Sequence, residues 1–193
     1  MTVGVLAVQG AFIEHERVLR ALGATSVELR QLSDLERPLD GLILPGGEST
    51  AQGLLLRELG MLVPLRERIL GGMPVLGTCA GMILLARELS GGEEAHLRTM
   101  DITVRRNAYG RQLGSFHATA PFGGDGEIPM TFIRAPYIER AGEGVEILAV
   151  VDGHPVAARQ GNQIATAFHP ELTGDPTVHR LLLRRIEERR TGN

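Results

Sequence analysis

Short apolar runs alternate with amphipathic stretches through the N-terminal half of the chain. Val3–Val8 is rich in valine and stops at Gln9-Gly10, the pattern of a strand buried on both faces. Phe12–Leu22 follows, with Ile13, Val18, Leu19 and Leu22 separated by charged positions and closed by Gly23, which predicts an amphipathic helix. Ser26–Arg30 predicts a second strand and Gly41–Leu44 a third, stopped by Pro45-Gly46-Gly47. Helical pattern runs from Ser49 to about Leu70, with a break near Gly60 to Pro64. Pro74–Gly77 reads as a further buried strand and Met82–Glu88 as a helix. Strands alternating with helices predict right-handed βαβ units, hence an α/β fold whose mainly parallel sheet is flanked by helices in three layers.

From Asp101 to Phe168 the pattern changes. Short β-like pieces at Ile102–Arg105, Thr131–Ile133, Val145–Val151, Pro155–Ala158 and Ile164–Phe168 are separated by glycine-rich turns, which predicts additional antiparallel strands and hairpins. The last helix carries its own signals. Asp175 can cap it, Pro176 suits its first turn, and Val178, Leu181, Leu182 and Ile186 form its apolar stripe. No repeat or linker interrupts residues 1–193, so one domain is expected.

Composition narrows the function classes. A formal net charge of −3 gives no basic footprint for nucleic acid or an anionic membrane. The single cysteine excludes an intrachain disulfide and any CxxC metal or redox pair, and suits a reducing cytoplasm. The opening residues lack the pattern of a signal peptide, and no apolar run reaches the length of a membrane span, so a cytoplasmic chain is expected. All twenty basic residues are arginine. Without lysine the chain can form no Schiff base and hold no P-loop lysine.

The candidate chemistry begins at Cys79. Gly77-Thr78-Cys79-Ala80-Gly81 joins a predicted strand to a predicted helix, at the spacing of a nucleophile elbow. A nucleophile on so tight a turn takes strained backbone angles and needs small neighbours. The following helix directs its N-terminal amides at the sulfur, favouring the thiolate, and the Ala80 amide can donate to an oxyanion. Most lone cysteines are small buried hydrophobes, so this reading requires a base elsewhere in the chain.

His169 and Glu171 supply one. They follow a predicted strand and lie two residues apart, so in extended chain they share a face, with Pro170 stiffening the link. The carboxylate could then fix the imidazole tautomer. Read alone, His169 could equally cap a strand while Glu171 is a solvated charge. A zinc deaminase also carries His-x-Glu but needs a Pro-Cys-x-x-Cys that is missing here. His15, His96, His117, His154 and His179 lack the combination of an orienting acid and a strand-end setting and read as surface or packing residues.

Gly46-Gly47 after the third strand frees backbone amides to approach a ligand, although a plain turn would look the same. Taken together, Gly46-Gly47-Glu48-Ser49, Gly77–Gly81 and His169-Pro170-Glu171 resemble the three motifs of the class I (triad) glutamine amidotransferases, which have a flavodoxin-like fold. Val5–Ala11, Leu44–Thr50, Arg106–Gln112, Phe132–Pro136 and Phe168–Leu172 are similar to one branch, the glutaminase subunits of pyridoxal 5'-phosphate synthase. The resemblance covers essentially the whole chain. It implies hydrolysis of L-glutamine to glutamate and ammonia, with no cofactor or metal, and transfer of the ammonia to a synthase (lyase) subunit in a large hetero-oligomer. By matching motif, Cys79 would be the nucleophile, His169 the acid and base, and Glu171 its orienter. Gly46, Gly47 and Ala80 would offer oxyanion donors. Gly47, Glu48, Ser49, Arg106, Ile133 and Arg134 would hold glutamine, one of the two arginines at its carboxylate. An amidotransferase serving another acceptor, or a cysteine peptidase of similar fold, would share the triad motifs.

Overall fold

The computed structural model describes residues 1–108 and 114–192. Among these residues the main sheet has seven strands. Its parallel part is built from β1 (Thr2–Leu6), β2 (Thr25–Leu29), β3 (Gly41–Leu44) and β4 (Val75–Thr78). They lie in the order β2-β1-β3-β4, with β3 and β4 buried along their whole length. Full burial suits Leu42–Leu44 and Val75-Leu76, which offer no polar side chain to water, while the one polar side chain, Thr78, is buried with hydrogen-bond partners.

The helices between these strands sit on opposite faces. On one face α1 (Phe12–Ala21) and the C-terminal α5 (Thr177–Thr191) meet through His15 and His179, and Ile186 of α5 packs over Gly41. On the other, α4 (Ala80–Leu85) packs over Leu44 and Gly77, alongside α2 (Ser49–Glu58) and then α3 (Leu62–Leu70). The expected three layers are therefore present. The break in the Ser49–Leu70 pattern falls at Leu59–Met61. Pro64 lies in the first turn of α3, where its missing N–H costs nothing. Pro176 takes the N-cap position of α5 rather than a place in its first turn, and Asp175, one residue before it, accepts from the Thr177 amide at 2.8 Å.

Beyond β4 the chain departs from expectation in three places. Met82–Glu88 is not one helix: α4 ends at Leu85 and Ala86–Leu89 forms β5, paired in parallel with β6 (Met100–Arg105). Non-local pairing outweighs local helix propensity there, because Ala86 and Leu89 find burial beside β6. The piece at Ile164–Phe168 is a strand only over Gln163–Thr166 (numbered β12 in chain order) and joins the parallel part, beside β4. Two strands carry no apolar run and were not expected: β7 (Ser115–Pro121) and β9 (Tyr137–Ala141). The former makes a ribbon with β8 (Glu127–Ile133), the latter pairs with β6, and β10 (Glu146–Val151) and β11 (His154–Gln160) extend the main sheet beyond β12 antiparallel.

The ribbon is anchored over the sheet by aromatic packing. Phe132 lies 5.7 Å from Phe168 and stacks on Phe116 at 4.4 Å between ring centres. Its turn is tied to α5 by a bidentate Arg184–Asp125 pair. No helix of the described residues is long and apolar enough to cross a membrane.

Candidate active site

In a doubly wound sheet, ligands bind where the carboxyl ends of the parallel strands open at the point of strand-order reversal. Here β1, β3, β4 and β12 all end at one cleft of about 370 Å³. After β1 come Gln9 and Gly10; after β3, Gly46 to Ser49; after β4, Cys79; after β12, His169. The ribbon contributes Ile133 and Arg134, and Arg106 and Asn107 close the rim.

Cys79 occupies the turn between β4 and α4 with φ 49° and ψ −101°, a strained setting for a side chain with a Cβ. Two contacts hold it there. Its amide donates to the Thr166 carbonyl at 2.7 Å, and the glycines on either side allow the strand and helix to touch. A Cβ on Gly77 would meet the Gly81 carbonyl, and one on Gly81 would collide with the Leu44 carbonyl. The small flanks are thus a requirement of packing as well as of the turn. The thiol is 7% exposed and its sulfur lies 3.9 Å from the Ile133 carbonyl.

His169 is fixed by its amide, which donates to the Thr131 carbonyl at 2.8 Å. Its Nδ1 lies 2.7 Å from Glu171 Oε1, which leaves Nε2 as the ring atom available to serve Cys79. The route to this pairing differs from the extended one expected. Pro170–Leu172 is a 3-10 turn, and it is this turn that brings the carboxylate back onto the ring. Burial opposes charge on His169. The hydrogen bonds to Cys79 and Glu171 and the charges of both groups outweigh it, raising its pKa to about 10.

Behind this row lies a polar cluster that the sequence did not reveal. His15 and His179, read there as surface or packing residues, are both fully buried. His15 Nε2 is 3.2 Å from Thr78 Oγ1 and 3.4 Å from Glu171 Oε2, and its Nδ1 is 2.9 Å from His179 Nε2. The available signal was topological: His15 lies one turn into the helix after β1, and Thr78 directly precedes Cys79. Gln9 and Gly10 were also missed as lining residues, although they end a parallel strand.

The glycine turn is tightly committed. The Gly46 amide donates to Thr78 Oγ1 at 3.1 Å, which removes Gly46 from the expected oxyanion donors in this conformation. The Gly47 and Ala80 amides make no hydrogen bond among the described residues. A Cβ on Gly46 would strike the His169 ring, so only glycine fits. Glu48 caps α2, accepting from the Thr50 and Ala51 amides, and pairs with Arg106 Nη2 at 3.1 Å. Arg106 Nη1 also reaches Glu93 at 3.2 Å. Among the described residues no carboxylate pairs with Arg134. Ser49, expected to bind ligand, is buried at the start of α2 while still bordering the cleft. Tyr109–Gln112 of the Arg106 motif lies outside the described residues.

Known proteins share this sequence and fold over nearly their whole length. A "Pyridoxal 5'-phosphate synthase subunit PdxT" of Desulfitobacterium hafniense (strain Y51) is 59% identical over 188 residues, covering 97% of this chain and 94% of that protein. Another of that name, from Streptococcus pneumoniae (strain CGSP14), is 57% identical, covering 98% of this chain and 100% of its own. A crystal structure described as a glutamine amidotransferase superposes with a TM-score of 0.91 at 46% identity, over 96% of this chain and 98% of that one. A glutamine amidotransferase from Thermotoga maritima, at 16% identity and a TM-score of 0.63 over 98% of this chain and 97% of its own, shares the fold. The model of the SNO glutamine amidotransferase family matches residues 5–188, and the chain belongs to that family.

Proposed function

We propose that the chain is the glutaminase subunit of a pyridoxal 5'-phosphate synthase, hydrolysing L-glutamine at Cys79 and passing the ammonia to a synthase subunit. The observation that carries the reading is the row Cys79, His169, Glu171 at the carboxyl ends of adjacent strands, with Nδ1 of the histidine taken by the carboxylate and Nε2 left for the thiol. The near-full-length likeness to proteins named as pyridoxal 5'-phosphate synthase subunits supports the choice of acceptor.

The Cys79 thiolate attacks the carbon of the glutamine side-chain amide. The oxyanion that forms takes hydrogen bonds from the Ala80 and Gly47 amides. His169 delivers its Nε2 proton to the departing nitrogen, releasing ammonia and leaving a thioester on Cys79. It then takes a proton from water, which attacks the thioester and frees glutamate and the thiol. Glu171 keeps the ring in the tautomer that serves both steps.

The head of glutamine is a zwitterion, and the rim of the cleft carries a matching pair, Glu48 beside Arg106, with Arg134 as a second cation. Arg106→Gln is expected to raise KM for glutamine about 10- to 100-fold while kcat changes only a few-fold, since a charged hydrogen bond is worth about 1.5–3 kcal/mol. Steady-state ammonia release checks this.

The partner supplies the remaining chemistry. Imine chemistry on a sugar phosphate needs a lysine, and this chain has none. Lyase activity therefore belongs to the other subunit, and the two work together as a cytoplasmic hetero-oligomer. The reading requires glutamine-dependent ammonia release that vanishes in Cys79→Ala, together with a stable complex with a lysine-bearing synthase. A cysteine peptidase would release no ammonia from glutamine, and an amidotransferase for another acceptor would form no such complex.

A further inference from the structure

Glu171 is fully buried, and only one of its oxygens is accounted for by His169. Among the described residues Oε2 has no hydrogen-bond partner, and His15 Nε2 lies 3.4 Å from it. His15 sits on α1 and so belongs to neither the nucleophile strand nor the His169 turn. It nevertheless touches both sides of the site. The same Nε2 lies 3.2 Å from Thr78 Oγ1, and that oxygen accepts the Gly46 amide of the glycine turn.

The proton positions in this cluster follow from its two ends. His15 Nδ1 and His179 Nε2 are 2.9 Å apart, so one of them donates. If His15 Nδ1 carried the proton, its Nε2 would present a lone pair to an ionised carboxylate oxygen. His179 would then hold its own proton on Nδ1, which is buried and has no partner. The opposite arrangement turns a proton toward the carboxylate instead. His179 Nε2–H donates to His15 Nδ1, and His15 Nε2–H points to Glu171 Oε2 and to Thr78 Oγ1, which also accepts the Gly46 amide. A lone pair set against a buried carboxylate costs more than the unpaired Thr78 hydroxyl hydrogen and His179 acceptor that this arrangement leaves, because a charged group is the costlier one to leave unsatisfied. Both rings are held neutral by burial, His15 further by the neighbouring charges of His179 and His169.

We propose that His15 is a positioning residue for Glu171: its Nε2–H, fixed in place by His179, points to Oε2 and keeps the carboxylate aimed at His169, while its contact with Thr78 links that carboxylate to the glycine turn. The inference rests on the reading of Cys79, His169 and Glu171 as a triad. Without that donor the carboxylate is free to turn away from His169, the ring loses its partner, and the Cys79 thiolate loses the support of a cationic neighbour.

Cys79 is the only cysteine in the chain, so one mass shift with iodoacetamide reports its thiolate. In the full-length protein, His15→Phe keeps a flat ring but no donor, and is expected to move the midpoint pH of alkylation up by about one unit, slowing the reaction near neutrality about tenfold. His15→Gln restores an N–H at similar reach and should recover at least half the shift. A His15→Phe protein that melts lower yet titrates as wild type overturns the proposal. If that variant does not fold, a long-range 1H–15N spectrum of the wild type decides. Protons on Nε2 of both His15 and His179 support the assignment, and a proton on His15 Nδ1 contradicts it. Neither measurement needs glutamine turnover, so a failed glutaminase assay and a failed positioning role give different results.

Discussion

At the scale of single residues, the site is a set of close approaches that leave little room for substitution. Gly46 is the tightest, because a methyl group there would occupy the space of the His169 ring. Gly46→Ala should therefore displace the imidazole from Cys79 and lower glutamine turnover at least about 100-fold, the scale expected for an ångström-sized misplacement of a catalytic group. Circular dichroism should show the same helix and sheet content, so that the loss is assigned to geometry. Retained turnover would mean that the ring has another position from which to work. Cys79, His169, Glu171 and the glycine turn were all legible in the sequence, since each is announced by its own motif. His15, Thr78 and His179 were not. Their residue types are ordinary and their spacing is meaningless in one dimension. Only the packing of α1 against α5 makes them neighbours.

At the scale of elements, that same packing gives the fold a sensitivity to acid. The pKa of His179 is lowered by burial to about 4, from an ordinary value of 6.5. Above pH 6.5 the ring is neutral in both folded and unfolded chains and contributes no slope. Between 6.5 and about 4 the unfolded chain binds a proton that the folded chain refuses, so stability falls as the pH falls, by on the order of 3 kcal/mol in the limit. Denaturant titrations between pH 7 and pH 4.5 should show a flatter loss for His179→Leu than for the wild type, whatever its stability at neutrality. Parallel pH dependence in the two would contradict the assignment. The elements themselves were readable where one strand is an unbroken apolar run, as at Gly41–Leu44. They were not readable where strands are mostly exposed: β7 buries only Ala120 and β9 only Ile138, and both have few large apolar residues. The helix expected over Met82–Glu88 stops short because Ala86–Leu89 is decided by its distant partner, β6.

At the scale of the molecule, the parallel order β2-β1-β3-β4-β12 brings four strand ends to one cleft, and the antiparallel strands carry a ribbon that adds Ile133 and Arg134 to its wall. The chain thereby assembles an amide-hydrolysing site from segments spread over most of its length. It offers no lysine with which to use the ammonia in imine chemistry. That division of labour is the central claim, and pyridoxal 5'-phosphate formation by the reconstituted complex tests it directly. With glutamine as nitrogen source, Cys79→Ala should abolish product, while with ammonium salts wild type and variant should support equal rates. Product from glutamine at the wild-type rate in Cys79→Ala would contradict the account.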